Sequence, residues 1–141
     1  MSDDVIAIEQ VLNRYCHKLD RGDVPAVIAL FAEDAVLIPE YEGTGPHEGR
    51  EAIQSWYTRY SAQTNAAARG LRHKISTAMI EVNGDRAESV CYLDADSVDP
   101  QTGARSLAGG RYEDKLVRRD GSWLISERRI IVDYASTLPA P

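Results

Sequence analysis

Three side chains capable of proton transfer are spread over the first half of the chain. Tyr15 and Asp20 lie in the first helical pattern, and His73 lies near the start of a strand pattern. A carboxylate that hydrogen-bonds to one imidazole nitrogen fixes the tautomer and strengthens the other nitrogen as a base. A tyrosine hydroxyl can donate to an oxygen on which negative charge develops. Brought around one cavity, these groups suffice to remove a proton from carbon without a metal or a cofactor.

Each of the three side chains also has a purely structural interpretation. The face predicted for His73 is apolar, with Leu71, Ile75, Thr77 and Met79, so the imidazole is either a hydrogen-bonded core residue or a base. Tyr15 and Asp20 fall on opposite edges of the apolar stripe of the first helix, so both can face the interior. Alternatively, Asp20 is a turn residue and Tyr15 a core aromatic residue.

Further residues are candidates for contacting a small molecule. Asp94 and Asp96 share a strand face, and one of them is a candidate second acid in the cavity. Gly110 precedes Tyr112 in a segment where missing side chains would leave room for a ligand. The remaining aromatic candidates for an apolar pocket are Tyr92, Trp56 and Tyr57.

Charge and composition exclude several classes of function. The net charge of −6 argues against nucleic-acid binding, which needs a basic surface. Three histidines in unrelated settings, without clustered cysteines, predict neither a metal site nor a cofactor. Cys16 and Cys91 are far apart in sequence, which predicts reduced, buried thiols in a cytoplasmic protein. The acidic start resembles no signal peptide, and no apolar segment is long enough for a membrane span.

The order of elements predicts a single α+β domain over residues 1–135, followed by a tail over 136–141. The residues Ser2, Asp3 and Asp4 predict the N-terminal cap of a first helix, and Gly22 predicts its end. The other predicted elements are helices over 24–31 and 50–65 and strands over 35–39, 71–82, 87–97, 107–117 and 123–134. The turns Asn83-Gly84 and Asp120-Gly121 indicate two hairpins. Helices first and long antiparallel strands afterwards predict a curved, mainly antiparallel sheet wrapped over three helices, with a ligand cavity between them.

Four segments resemble the SnoaL-like, nuclear-transport-factor-2-like superfamily, whose fold is a cone-shaped α+β domain: RYCHKLDRGDVPAVIALFAEDAVL, HEGREAIQSWY, LRHKIS and AGGRYEDKLVRRDGSWLISER. The arrangement is most similar to scytalone dehydratase, bile-acid dehydratases and hexachlorocyclohexane dehydrochlorinase. This resemblance implies that Asp20 and His73 form a catalytic dyad and that Tyr15 assists it. It also implies a further acid at Asp94 or Asp96 and pocket residues at Gly110 and Tyr112. Ketosteroid isomerase differs, because the place of its general base holds Ile38 or Pro39 here.

The function expected from these observations is a cofactor-independent lyase that eliminates water or another leaving group from a small apolar cyclic substrate. A polyketide cyclase or isomerase using the same pocket is an alternative. A non-catalytic binding protein, similar to the small subunit of ring-hydroxylating dioxygenases, is another. We also expect self-association as a homodimer or homotrimer, because Leu124, Ile130 and Val132 alternate onto one face of the last strand.

Overall fold

The computed structural model describes residues 3–141; the predicted cap residue Ser2 lies outside them. Within that range the structure has three α-helices, α1 (Asp3–Asp20), α2 (Val24–Ile28) and α3 (Gly49–Ala67). Six strands complete it: β1 (Phe31–Pro39), β2 (His47–Glu48), β3 (Arg69–Asn83), β4 (Arg86–Val98), β5 (Arg105–Arg119) and β6 (Ser122–Leu138). A 3-10 turn over Glu40–Glu42 follows β1.

The strands form one sheet in the order β2-β1-β6-β5-β4-β3. The β1–β6 pair is parallel and the other pairs are antiparallel. Helix α1 packs along β3, and α3 packs over β1. The predicted α+β architecture, with helices on one side of a curved mixed sheet, is confirmed.

Helix α1 forms where the apolar spacing predicts it. Its buried side chains recur every three or four residues, which gives one continuous stripe: Ile8, Val11, Leu12, Tyr15, Cys16 and Leu19. Gly22 ends the helix in the left-handed conformation at φ +72°, a region that favours glycine. Asp20 therefore lies in the last turn, beside the strand that carries His73. No helix in residues 3–141 is both long and apolar enough to cross a membrane.

Two boundaries near the start of the sheet differ from prediction. Helix α2 ends at Ile28 instead of residue 31, and Phe31 already begins β1. Phe31 pairs with Ile125 of the last strand, so a long-range contact overrides the local helical pattern. The short strand β2, predicted as loop, pairs with β1.

An irregularity in β3 changes which side chains face the core. The register shifts between Ser76 and Met79, and Thr77 has φ +56°, as at a β-bulge. The extra residue reverses the alternation, so Met79 is 68% exposed and does not share the face of His73. The prediction that these two residues face the same way is therefore wrong.

The last strand also differs in length and in the direction of its side chains. Strand β6 continues to Leu138, beyond the predicted domain end at residue 135. Ile130 and Val132 line an interior cavity, so they do not supply an outer face for a partner subunit. The expectation of a homodimer or homotrimer stays a prediction without that support.

Candidate active site

Asp20 and His73 are in direct contact. The Nδ1 atom of His73 lies 2.6 Å from an Asp20 carboxylate oxygen, and the His73 side chain is only 7% exposed. Because a carboxylate only accepts hydrogen bonds, the neutral imidazole carries its proton on Nδ1 and its lone pair on Nε2. This is the tautomer that a general base attacking through Nε2 requires.

The same carboxylate also holds the backbone of His73. The His73 N–H donates to the two Asp20 oxygens at 3.2 and 3.0 Å. Strand β3 lies at one edge of the sheet, where backbone N–H groups lack a neighbouring strand. Asp20 therefore satisfies an edge donor and orients the imidazole at once.

Tyr60 contacts the other imidazole nitrogen and was not singled out as a site residue from the sequence. Its hydroxyl lies 3.2 Å from His73 Nε2, and with the proton on Nδ1 the hydroxyl must be the donor. Burial raises the pKa of Tyr60, which keeps this hydroxyl protonated. The sequence places Tyr60 on the apolar face of α3, one turn after Trp56, but which of these aromatic residues reaches His73 depends on how α3 crosses the sheet.

Both His73 and Tyr60 line an interior cavity of about 250 Å³, which we call the His73 cavity. This volume is about eight times that of a water molecule in the liquid, enough for a small ring. Its other lining residues are all apolar or aromatic: Tyr15, Leu19, Tyr41, Trp56, Leu93, Ala95, Ala108, Tyr112, Ile130, Val132 and Ala135. A base surrounded by such a lining is shielded from water, which strengthens its interactions with a bound substrate.

Tyr15 lines this cavity and is supported from behind by Tyr57. Their hydroxyl oxygens are 2.5 Å apart, and both side chains are buried. Burial raises the pKa of Tyr15, and the charge of Arg128 opposes that rise. When Tyr57 donates to Tyr15, the Tyr15 hydroxyl retains its own proton for another acceptor.

A buried ion pair lies next to Tyr15. The Arg128 guanidinium forms two hydrogen bonds of 2.8 Å with Asp114, and both side chains are 0% exposed. It is stacked between the rings of Tyr15 and Tyr112, at 4.1 and 4.0 Å from their centroids. Burial opposes its charge, but the Asp114 carboxylate outweighs burial and raises the pKa of Arg128. Arg129 instead pairs with Glu40 at the surface, as expected for neighbours on a strand.

The remaining pocket candidates divide between the cavity and other environments. Trp56 and Tyr112 line the His73 cavity. Tyr57 lies one layer behind it, in contact with Tyr15 through the hydroxyl pair. Tyr92 is 56% exposed, on the opposite face of β4 from the buried Leu93, and does not line the cavity.

Asp94 and Asp96 do not enter the His73 cavity either, which corrects the expectation for a second acid. Both alternate with the inward-facing residues of β4, and Asp94 is exposed. Asp96 pairs with Arg72 at 3.0 Å and with Lys74 at 3.2 Å. The pKa of Asp96 is lowered, chiefly by its hydrogen bond with Arg72.

The structure requires glycine at position 110 for a reason that differs from the predicted one. A Cβ atom there would lie 1.9 Å from the carbonyl oxygen of Ile131, at an irregularity in the β5–β6 pairing. The ring of Tyr134 covers Gly109 and lies 2.5 Å from where a Cβ atom at that residue would be. The two glycines therefore permit close packing against β6 and do not open space for a ligand.

Side chains suited to metal binding are dispersed. Residues 3–141 contain no group of three or more His, Cys, Asp or Glu side chains placed to hold a metal ion. Cys16 and Cys91 are free and buried, as predicted. Burial raises the pKa of each thiol to about 11, so neither is a nucleophilic thiolate at neutral pH.

Comparisons with known proteins place this geometry in a family. The SnoaL-like domain matches residues 1–129, whereas no match was found among curated proteins. A Novosphingobium aromaticivorans protein provisionally assigned as a scytalone dehydratase has 22% identity and a TM-score of 0.82, covering 98% of this chain and 89% of that one. A type 2 hexachlorocyclohexane dehydrochlorinase, LinA, has 17% identity and a TM-score of 0.82, covering 98% and 90%.

A third structure is more similar in sequence. A Nostoc punctiforme protein of unknown function with a cystatin-like fold has 30% identity and a TM-score of 0.75, covering 94% of this chain and 93% of that one. The solved structures below 25% identity share the fold, and the domain match extends over most of the sequence. The chain therefore belongs to the SnoaL-like domain family and has the α+β fold of nuclear-transport-factor-2-like proteins.

Proposed function

We propose that the protein is a cofactor-independent lyase that eliminates water, or a comparable leaving group, from a small cyclic substrate bearing a carbonyl group. The observation that carries the proposal is the 2.6 Å contact between Asp20 and His73 Nδ1 beside an apolar cavity. It orients Nε2 as a base inside a space that admits a ring. The dehydratase and dehydrochlorinase names among the structural neighbours agree with this chemistry.

The reaction begins with proton transfer from carbon. His73 Nε2 takes a proton from the carbon next to the carbonyl group, and the positive charge on the imidazolium is stabilised by Asp20. The electron pair moves onto the carbonyl oxygen. Tyr15 donates a hydrogen bond to that oxygen, with Tyr57 donating in turn to Tyr15. Because both phenols are buried, these hydrogen bonds are made without competition from water.

Tyr60 supplies the proton that the leaving group needs. As the electron pair returns from oxygen, the bond between carbon and the leaving hydroxyl breaks, and the Tyr60 hydroxyl protonates it to give water. The resulting phenolate recovers a proton from His73 Nε2, 3.2 Å away. All protons are then accounted for, and the two side chains return to their starting states.

Two features favour this function over a purely binding role. A structural histidine would lie within a filled core, whereas His73, although both its ring nitrogens have partners, borders a cavity. His73, Tyr60 and Tyr15 all line the same space. A cyclase or isomerase would begin with the same proton transfer, and product mass distinguishes the reactions, since only elimination removes the leaving group.

The dehydration of 3-hydroxycyclohexanone to cyclohexenone tests the proposal, because the product absorbs in the ultraviolet and is lighter by one water. Wild-type protein should accelerate the reaction, and His73→Ala should lose about 10²–10⁴ of that acceleration. His17→Ala is the matched control, since His17 is an exposed histidine on α1. Wild-type protein no faster than buffer, or acceleration that survives in His73→Ala, would contradict the proposal.

A further inference from the structure

A second cavity adjoins the His73 cavity toward the open end of the sheet. This outer cavity has a volume of about 370 Å³. It shares Tyr60, Ala95, Ala108 and Ala135 with the His73 cavity, so a ligand can extend from one into the other. Its lining differs in chemistry, because serine and threonine hydroxyls and the Asp96 carboxylate are added to the apolar side chains.

The strand register arranges these side chains in two parallel rows. His73 pairs with Ala95, Ala95 with Ala108, and Ala108 with Ala135, which makes one row across β3, β4, β5 and β6. Two residues further toward the opening, Ser97 pairs with Ser106, and Ser106 pairs with Thr137. Residues two apart on a strand share a face, so both rows lie on the concave side. We call Ser97, Ser106 and Thr137 the hydroxyl row.

The hydroxyl row is available to a ligand and carries no charge. None of its three hydroxyls forms a hydrogen bond with another residue in the range 3–141. Asp96 also lines the outer cavity, but its carboxylate is engaged by Arg72 and Lys74. The hydroxyl of Thr64 on the facing helix is also engaged, since it donates to the carbonyl oxygens of Tyr60 and Ser61 at 3.0 and 3.2 Å.

We propose that the hydroxyl row is a substrate-binding subsite for an uncharged hydroxyl or carbonyl group, offset by about 7 Å along the strands from the row that begins at His73. The distance follows from two residues of strand at about 3.4 Å each. The small alanines between the rows leave space for the ring that connects the two ends. The substrate class is therefore an apolar ring with one neutral polar substituent at its far end. Because the offset is counted from the row that contains the proposed base, this proposal rests on the proposed function.

Binding of two matched probes tests the subsite without requiring turnover. The probes are 2-naphthalenemethanol and 2-methylnaphthalene, which share a ring and differ by one hydroxyl group. Titrations followed by the backbone amide NMR signals of Ala108 and Ser106 give both the affinity and the location. Wild-type protein should bind the alcohol about five- to tenfold more tightly, as expected for one or two neutral hydrogen bonds.

Removal of the hydroxyl row should abolish this preference and leave binding of the ring unchanged. The variant is Ser97→Ala/Ser106→Ala/Thr137→Val, and its affinity for 2-methylnaphthalene shows that the cavity is intact. Ser122→Ala, an exposed hydroxyl at the other end of β6, is the control and should keep the preference. A preference retained in the triple variant, or no binding of either probe to the wild type, would overturn the proposal. If the triple variant loses the preference but the wild-type protein is inactive in the dehydration assay, the binding subsite is supported and the lyase function is refuted.

Discussion

Replacing Asp20 by asparagine tests the dyad more sharply than removing it. The carboxylate accepts hydrogen bonds from His73 Nδ1 at 2.6 Å and from the His73 backbone N–H at 3.0–3.2 Å. The Nδ1–H and the backbone N–H of His73 are both donors when the imidazole lone pair is on Nε2. An asparagine side chain has the same shape but only one accepting atom.

In either orientation, the amide introduced by Asp20→Asn places its NH₂ group against one of the two His73 donors. If its oxygen faces Nδ1, its NH₂ group opposes the backbone N–H of the edge strand. If it turns around, the NH₂ group faces Nδ1, and the imidazole must move its proton to Nε2, which removes the base. We therefore expect Asp20→Asn to lower the catalysed rate by about 10²–10⁴. The free energy of unfolding should fall by about 1.5–3 kcal/mol, the usual contribution of hydrogen bonds to a charged group.

Two measurements separate these effects. Nitrogen-15 NMR of the imidazole reports which ring nitrogen carries the proton, and dehydration of 3-hydroxycyclohexanone reports the rate. Asp34→Asn is the matched control, because Asp34 is an exposed carboxylate that pairs with Arg119 and has no contact with the Asp20–His73 pair. An Asp20→Asn variant with the proton still on Nδ1 and a rate within threefold of wild type would refute the argument.

Two further predictions concern buried groups outside the dyad. Arg128→Met should lower the free energy of unfolding by about 3–5 kcal/mol, because it leaves the Asp114 carboxylate buried without a partner. Urea unfolding should show that Arg128→Met/Asp114→Leu recovers most of this loss. A double variant as unstable as Arg128→Met would contradict the explanation. The free energy of unfolding should also fall as the pH rises from 9 to 11, because burial raises the pKa of Cys16 and Cys91 from 9.0 to about 11 and the unfolded chain ionises its thiols first. The decline should be shallower in Cys16→Ala/Cys91→Ala, and identical slopes would refute that origin.

The main elements could be predicted from the sequence because their signals are local. The apolar spacing of α1 and the Asp120-Gly121 turn depend on residues close together in the chain, and both appear where expected. The first hairpin also forms, but its two turn residues are Gly84 and Asp85, one position later than predicted. The contact between Asp20 and His73 was also predictable. The reason is that a carboxylate facing a core needs a partner, and the resemblance identified which partner.

The other differences arise where distant segments decide the geometry. Thr77 adopts a positive φ in a bulge that no glycine or proline announces, so the face of Met79 could not be read from alternation. Gly110 lies against Ile131 across the sheet, and a glycine in a strand pattern predicts either a bulge or an approaching ligand. Tyr60 reaches His73 only because of how α3 packs on the sheet, which a helical pattern does not specify.

The contacts of His73 explain how an imidazole can be held still at the edge of a sheet. Edge strands are ordinarily the less restrained part of a sheet, yet here the backbone N–H and Nδ1 bind one carboxylate while Nε2 binds Tyr60. Three contacts fix the ring before any ligand arrives, so little conformational entropy remains to be lost in the transition state. The contact with Tyr60 is a neutral hydrogen bond of 3.2 Å, worth about 1 kcal/mol, which a substrate can displace at small cost. The firm contact therefore lies on the Nδ1 side of the imidazole and the weak one on the Nε2 side, the arrangement that the proposed general base requires.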